Sequence, residues 1–319
     1  MLELVRGAKL IVETCAQVRP KETVLVITDD AACPIEMGRA VAEAANSVGA
    51  EAAQIIIKPG DMPGYEPPQP VAQAMKSANV VIIMFGRSSI LHSNARKDAT
   101  TAGARVYTMS EVPHDYFEHE ITKADLERIK ELTERLADKL TKAKRARVTA
   151  PGGTDITMSL EGRQGLALHP LSRVVGPIPD YAESTISPVE GTAEGTLVID
   201  IWVGGWGYPL RAPMKCVIKS GKAVQVTGGD DADRLRGELA TDATASNVAE
   251  LGIGTSHTIP RKYLTSRRGG GMLGYIHIAL GRNNDIGGQT WSRIHADGMI
   301  DCPTVKLDDE FVMKDGKLV

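Results

Sequence analysis

Between residues 22 and 110, short β-branched runs alternate with Ala-rich segments of helical character. This is the pattern of strand–helix–strand units on a parallel sheet. TVLVITD (23–29), EAAQIII (51–57), NVVIIMF (79–85) and ARVYTMS (104–110) are the predicted strands. Between them, IEMGRAVAEAANSVG, PVAQAMKSA and NARKDATTAG end near Gly or small polar residues, as crossover helices do. The layout predicts a Rossmann-like α/β domain. It carries neither GxGxxG nor GxxxxGK(S/T), so dinucleotide and nucleoside triphosphate binding are not expected.

From 122 to 146, Leu126, Ile129, Leu132, Leu136 and Leu140 recur at helical spacing with charges elsewhere, predicting a long helix that links two domains. The basic run KAKRAR at its end reads as a solvated terminus, where cations suit the helix dipole. After residue 147 the texture changes. RVTAPGGTDITMSL and PMKCVIKSGKAVQVTGG read as hairpins turning at PGG and SGK, and GTLVIDIWVGG reads as a strand. DADRLRGELA and ATASNVAEL are predicted as helices. The expected organisation is an α/β domain over 1–146, ending in the linking helix, and an α+β metal-binding domain over 147–319.

Composition narrows the function. The 319 residues, 42% hydrophobic, suffice for two cores. With 37 basic against 40 acidic residues the net charge is −3, so nothing holds a phosphate backbone or an anionic membrane, and nucleic acid is not an expected partner. The longest apolar runs, such as VVIIMF, fall far short of the roughly 20 residues that cross a bilayer. MLELVRGAKLIVETC carries acidic residues in an amphipathic pattern rather than a basic start and an apolar stretch, so a cytoplasmic location is expected. Cys15, Cys33, Cys216 and Cys302 are too scattered for a zinc knuckle or a disulfide scaffold and read as buried or free thiols.

Candidate chemistry gathers near the C-terminus, where His257, His277 and His295 follow one another. In RIHADGMI, His295 and Asp297 are two apart, so on a strand both project to one face while Ile294 and Ala296 project to the other. In LGYIHIALGR, His277 is set into an apolar strand, sharing a face with Tyr275 and Ala279 and opposing Ile276, Ile278 and Leu280. A buried imidazole needs a partner. Imidazoles and a carboxylate on neighbouring strands suit zinc, iron(II), manganese or cobalt. Glu250, in NVAELGIGTS, and Glu183, in YAESTISPVEG, are upstream carboxylates that can join them, whereas Asp155 reads as a scaffold residue.

Together IHIALGR, RIHADGMI, NVAELGIGT, GTDITMSLEGR and AESTISPVEGTAEGTLVID resemble the aminopeptidase T and aminopeptidase S family of metallo-exopeptidases, over about residues 150 to 300. That resemblance implies one or two divalent metals (zinc, cobalt or manganese) held by Glu183, Glu250, His277, His295 and Asp297. The position of the family's tyrosine ligand holds Asn284. The loop NNDIGGQTW, the strand TAEGTLVID and the step KLDDEFV are also similar to the 2,5-dihydroxypyridine 5,6-dioxygenases, which use one iron(II) held by two histidines and an aspartate. In that group a histidine stands where this chain has Glu250, and the histidine at the position of His277 is absent.

The leading expectation is metal-assisted hydrolysis of an amide or peptide-like bond in a small or short-peptide substrate. Glu183 or Glu250 would act as base, with His92 as a further catalytic candidate reaching in from the N-terminal domain. Arg282, Asn284 and His257 are the candidate substrate contacts, Arg282 through a forked grip on a carboxylate. The alternatives are a ferrous dioxygenase opening a hydroxypyridine ring and a metal-free scaffold or binding protein. Members of both families self-associate, which implies a homo-oligomer, a dimer in the simplest case.

Overall fold

A computed structural model describes residues 2–60, 65–86, 90, 91, 93–111 and 115–319. In chain order the first half contains α1 (Leu2–Lys9), β1 (Thr23–Thr28), α2 (Ala32–Ser47), β2 (Glu51–Ile56), α3 (Gln69–Ser77), β3 (Val80–Phe85), α4 (Asn94–Thr101), β4 (Arg105–Ser110) and α5 (Lys123–Lys142). Then come β5 (Arg145–Thr149), β6 (Asp155–Ser159), β7 (Leu166–Leu168), β8 (Val175–Pro177), β9 (Glu183–Ile186), β10 (Glu194–Ile199), β11 (Met214–Lys219), β12 (Lys222–Thr227) and α6 (Asp230–Leu239). The chain closes with β13 (Val248–Gly254), β14 (Ile276–Gly281), β15 (His295–Ile300), β16 (Thr304–Leu307), β17 (Glu310–Lys314) and β18 (Lys317–Leu318). Two compact units result: Met1–Lys130 with Leu168–Tyr181, and Glu131–Ala167 with Ala182–Val319. None of the helices among the described residues is long and apolar enough to cross a membrane.

The first unit is built on a five-stranded parallel sheet in the order β2-β1-β3-β4-β8. All six residues of VVIIMF in β3 are buried, as a parallel strand covered on both faces requires. Leu25, Ile27, Val81, Ile83 and Phe85 form its core with Val71 and Met75 of α3 and Ala95 and Ala99 of α4. β8 comes from residues far along the chain, beyond the long helix, and pairs with β4 as the fifth strand.

Across that unit, Arg105 at the start of β4 grips both carboxylate oxygens of Glu22 at 2.9 and 2.8 Å, and Glu22 also accepts the Arg19 backbone N–H at 2.8 Å. The bonds to Arg105 hold the Glu22 carboxyl below its usual range. A depressed carboxylate pKa contributes stability that is complete above the unfolded value of about 4.3 and is lost as pH falls through the folded value. Glu22→Gln is therefore expected to lower unfolding stability by about 1–2 kcal/mol at pH 7. Urea titrations should show the gap between wild type and variant closing as the pH is taken from neutrality to below the folded value.

The second unit contains two antiparallel sheets, β12-β11-β10-β6-β5-β16-β17-β18 and β15-β14-β13-β9-β7. Both predicted hairpins form, β5 with β6 and β11 with β12. The latter turns at Ser220 and Gly221, with φ of 48° and 74°, the left-handed pair that suits a two-residue hairpin turn. Val148, Ile156, Leu197, Ile199 and Met214 of the larger sheet share one core with Leu251, Ile253, Ile276, Ile278, Leu280 and Ile300 of the smaller. Leu136 and Leu140 of α5 and Leu235 of α6 complete it.

Two sequence expectations are corrected. ATASNVAEL is not helical: residues 243–246 turn, and 248 onward is strand β13. Asp242 sets up the turn by accepting the Thr244 N–H and hydroxyl at 2.9 and 2.6 Å, and pairing with β9 and β14 on both sides then outweighs Ala-rich helix propensity. The long helix stops at Lys142 rather than 146, because Arg145 and Ala146 already pair with Ser159 and Met158 in β5.

Candidate metal centre

The smaller sheet presents two unlike faces. Register places Glu250, Ala279 and Asp297 side by side across β13, β14 and β15, with Thr185, Gly252, His277 and Met299 in the neighbouring row. Glu183 pairs with Gly254, and His295 with Gly281. Directly paired residues share a face, so Glu183, Glu250, His277, His295 and Asp297 all stand on one side. The opposite side is Ile186, Leu251, Ile253, Ile276, Ile278, Leu280 and Ile300, which belong to the core.

Glu250 shares that side with Gly252 by plain alternation, and an irregularity lies just before it. Val248 pairs with Leu280 in the core row, yet Glu250 pairs with Ala279, because the register shifts by one residue between Val248 and Glu250. Continued without a break from Leu251 and Glu250, the ladder would set Val248 beside Gly281, on the face of the cluster. The bulge instead returns Val248 to the core directly beside the cluster, a place where bulges are common.

Two small residues leave the room. A Cβ at Gly252 would lie 2.2 Å from His277 Cε1 and Nε2, so the imidazole lies over the bare backbone of β13. Residues 200–204 run along the free edge of β15, where Val203 bridges Gly298 and the Gly204 N–H donates to the Asp297 carbonyl at 2.9 Å. A Cβ on Gly204 would meet Asp297 Oδ2 at 3.0 Å.

The side chains converge into two groups that share Glu250: Glu183, Glu250 and His277, and Glu250, His295 and Asp297. Within each group one donor atom per residue lies within 4.8 Å of the others. His277 Nε2 is 3.3 Å from Glu183 Oε2 and 3.7 Å from Glu250 Oε1. His295 Nε2 is 2.8 Å from Glu250 Oε2 and 3.1 Å from Asp297 Oδ1. The latter contact lacks hydrogen-bond alignment, so the buried Asp297 Oδ1 is without a hydrogen bond. Side chains of the first group are at most 8% exposed, whereas His295 and Asp297 are 19% and 16% exposed, so the cluster opens to solvent at the His295–Asp297 end.

Electrostatics show what the cluster lacks. Burial alone would push His277 down, but the charge of Glu183, the bond to Glu250 and the charge of Asp297 outweigh it and carry the imidazole up to about 9. His295 is likewise carried well above its usual range, against its burial, by Asp297 and then Glu250. Glu250 and Asp297 are held below theirs, against burial, by the two imidazoles. Three carboxylates gathered round two imidazoles in a buried site make a setting that suits a cation. The His295 Nδ1 lies 2.6 Å from the Arg282 carbonyl. Donating there leaves Nε2 as a lone-pair donor, the arrangement of a metal-binding histidine. On donor chemistry, charge and orientation the residues fit divalent cations.

The other candidates fall elsewhere. Arg282 follows β14 with Nε 3.9 Å from Asp285 Oδ2, so its part in the cluster is played by its carbonyl. Asn284 is exposed, its N–H on the Thr290 carbonyl at 3.1 Å. His257 is exposed in the turn after β13 and belongs to neither group. His92 lies outside the described residues. Asp155 lies in β6, where its carboxylate accepts from Arg147 Nε and Nη2 at 2.9 and 2.8 Å, and it belongs to neither group. A residue the sequence reading passed over is Thr185, fully buried, whose hydroxyl donates to Glu250 Oε1. Its signal was available: it stands two residues after Glu183 on the same strand, hence on the same face.

An α/β chain with a parallel sheet, two antiparallel sheets and a buried imidazole–carboxylate cluster is the class defined by these features. A family model described as 2,5-dihydroxypyridine 5,6-dioxygenase (NicX) matches residues 9–319, and the chain belongs to that family. Its fold is similar to that of 2,5-dihydroxypyridine dioxygenase from Pseudomonas putida KT2440, with a TM-score of 0.81 at 18% identity over 99% of this chain and 96% of that one. It is also similar to AmpT from Thermus thermophilus, with a TM-score of 0.71 at 17% identity over 100% of this chain and 99% of that one. No curated protein sequence matches the chain.

Proposed function

We propose that this protein is a metal-dependent hydrolase of amide or peptide-like bonds in a small substrate, using two divalent ions held by the groups that share Glu250. The observation that supports it is the doubled donor set: Glu183 and His277 on one side of Glu250, His295 and Asp297 on the other. Zinc, cobalt or manganese bound there would polarise the scissile carbonyl and acidify a water molecule. The chain's residues supply the rest. The solvent-reaching His295–Asp297 end admits the substrate, and the buried Glu183–His277 end excludes bulk water, strengthening charge interactions. Glu183 or Glu250, whichever is not engaged as a ligand, would accept the proton of the attacking water, and Glu250 is held in place by the Thr185 hydroxyl.

Membership of the dioxygenase family favours a second reading, oxidative opening of a hydroxypyridine ring with one iron(II) held by His295 and Asp297 together with His277 or Glu250. Ferrous oxygenases of the facial-triad type use two histidines and one carboxylate. His277, His295 and Asp297 would match that set, whereas Glu250, His295 and Asp297 have one histidine and two carboxylates, and the presence of Glu250 between the two groups favours the hydrolase reading.

Elemental analysis of anaerobically purified protein, paired with two assays, separates the readings. Two zinc, cobalt or manganese ions per chain and amino-acid release from dipeptides or aminoacyl anilides are expected. Oxygen uptake with 2,5-dihydroxypyridine that tracks one iron per chain, without amide cleavage, would overturn the hydrolase assignment.

A further inference from the structure

We infer that Thr185 is a positioning residue that sets the plane of the Glu250 carboxylate, so that its two oxygens serve two different ions. This rests on the two-ion reading above. Three observations carry it. Thr185 is fully buried on the cluster's face of β9 and pairs with Gly252, whose missing side chain leaves the row between Thr185 and His277 open. Its hydroxyl donates to Glu250 Oε1, with the Leu251 carbonyl at 3.3 Å as a weaker second acceptor. The other oxygen, Oε2, is turned to His295 Nε2 at 2.8 Å, while Oε1 is the one facing His277 Nε2 at 3.7 Å.

The physical argument turns on the last torsion of a glutamate. Rotation of a carboxylate about its terminal bond is broad and nearly two-fold, so the side chain alone does not fix where its oxygens point. A carboxylate free to rotate can offer both oxygens to one ion and leave the second site a ligand short. Thr185 removes that freedom by anchoring Oε1. Being β-branched, its own first torsion is stiff, so the hydroxyl is in place before any ion arrives. Each oxygen of Glu250 is then committed to one half: Oε1 to the side of Glu183 and His277, Oε2 to the side of His295 and Asp297.

The test uses full-length protein stripped of metal and titrated with zinc or manganese by calorimetry, with bound metal counted by elemental analysis. Thr185→Val keeps the shape and removes the donor, Thr185→Ser keeps the donor, and Thr185→Ala repeats the loss with less bulk. Melting of the metal-free variants by circular dichroism checks that each is folded. Wild type is expected to take two ions. In Thr185→Val and Thr185→Ala one ion should bind roughly 10–100-fold more weakly, the usual cost of losing a residue that orients a ligand. The other ion should be little changed, and Thr185→Ser should lie near wild type. If Val and Ala variants take two ions with wild-type affinities, or if Ser weakens binding as much as Val, the role of Thr185 is overturned. If wild type itself takes a single ion, the two-ion reading fails instead, which is a separate result.

Discussion

Replacing Glu250 by Gln is expected to empty both halves of the cluster at once. Glu250 is the sole residue common to the two donor groups among the described residues, so its loss removes a ligand from each, whereas any other substitution touches one. Glutamine preserves volume and can still accept the Thr185 hydroxyl through its amide oxygen, so the expected loss is one of charge and ligation rather than packing. With the wild type, metal at about 100 times its dissociation constant should raise unfolding stability by about 2.7 kcal/mol through linkage. In Glu250→Gln that increment should vanish, bound metal should fall to near none, and turnover should drop by roughly 10²–10³-fold or more. Melting curves with and without added metal, read beside elemental analysis, decide the matter. An unchanged metal-dependent shift would show that Glu250 is not a shared ligand. The same measurement bears on the metal-free alternative, for a scaffold that binds no ion shows no metal-dependent shift even in the wild type.

Gly252→Ala is expected to produce the second largest effect, from a single added methyl group. That Cβ would stand 2.2 Å from two atoms of the His277 ring, far inside any real contact, so the ring, 2% exposed, must shift relative to Glu183 and Glu250. The ion on the Glu183–His277 side should be lost while the one on the His295–Asp297 side remains. Overpacking should also lower stability by about 1–3 kcal/mol. Gly204→Ala is the matched control. Its Cβ would sit 3.0 to 3.3 Å from Asp297 atoms, a crowding that a small shift of the carboxylate relieves, so only modest weakening of the other ion is expected. Equal effects of the two substitutions on both ions would argue against two separable halves.

The division of labour on the smaller sheet explains why a cluster this polar can be buried. One face donates Ile253, Ile276, Ile278 and Leu280 to the core, and that burial holds the strands in register. Given the register, the other face has no choice about which side chains meet. Small residues, Gly252, Ala279 and Gly281, occupy the gaps between the cluster's residues, so imidazoles and carboxylates lie across the sheet rather than standing apart on it.

Much of this was legible in the sequence. The two-residue step from His295 to Asp297 fixed their common face, since alternation along a strand is a local property of the backbone. The alternation of IHIALG placed His277 opposite Ile276 and Ile278 for the same reason, and β3 advertised a doubly covered strand through six consecutive apolar residues. Periodicity likewise disclosed the parallel sheet, the hairpins and the long helix, because each is encoded in spacings of a few residues.

Tertiary structure alone decided which strands lie side by side and where the ladder slips. ATASNVAEL looks helical because its local propensity is helical, and only pairing with β9 and β14, from 65 positions upstream and some 30 downstream, makes it a strand. Val248 and Glu250 share parity, yet one faces the core and the other faces His277 and His295, so alternation with Leu251 and Ile253 gives the face of Glu250 but not that of Val248. The bulge between them depends on the partner strand. Sequence spacing therefore supplied the cluster's residues and their faces, and the pairing of β9, β13, β14 and β15 supplied their meeting around Glu250.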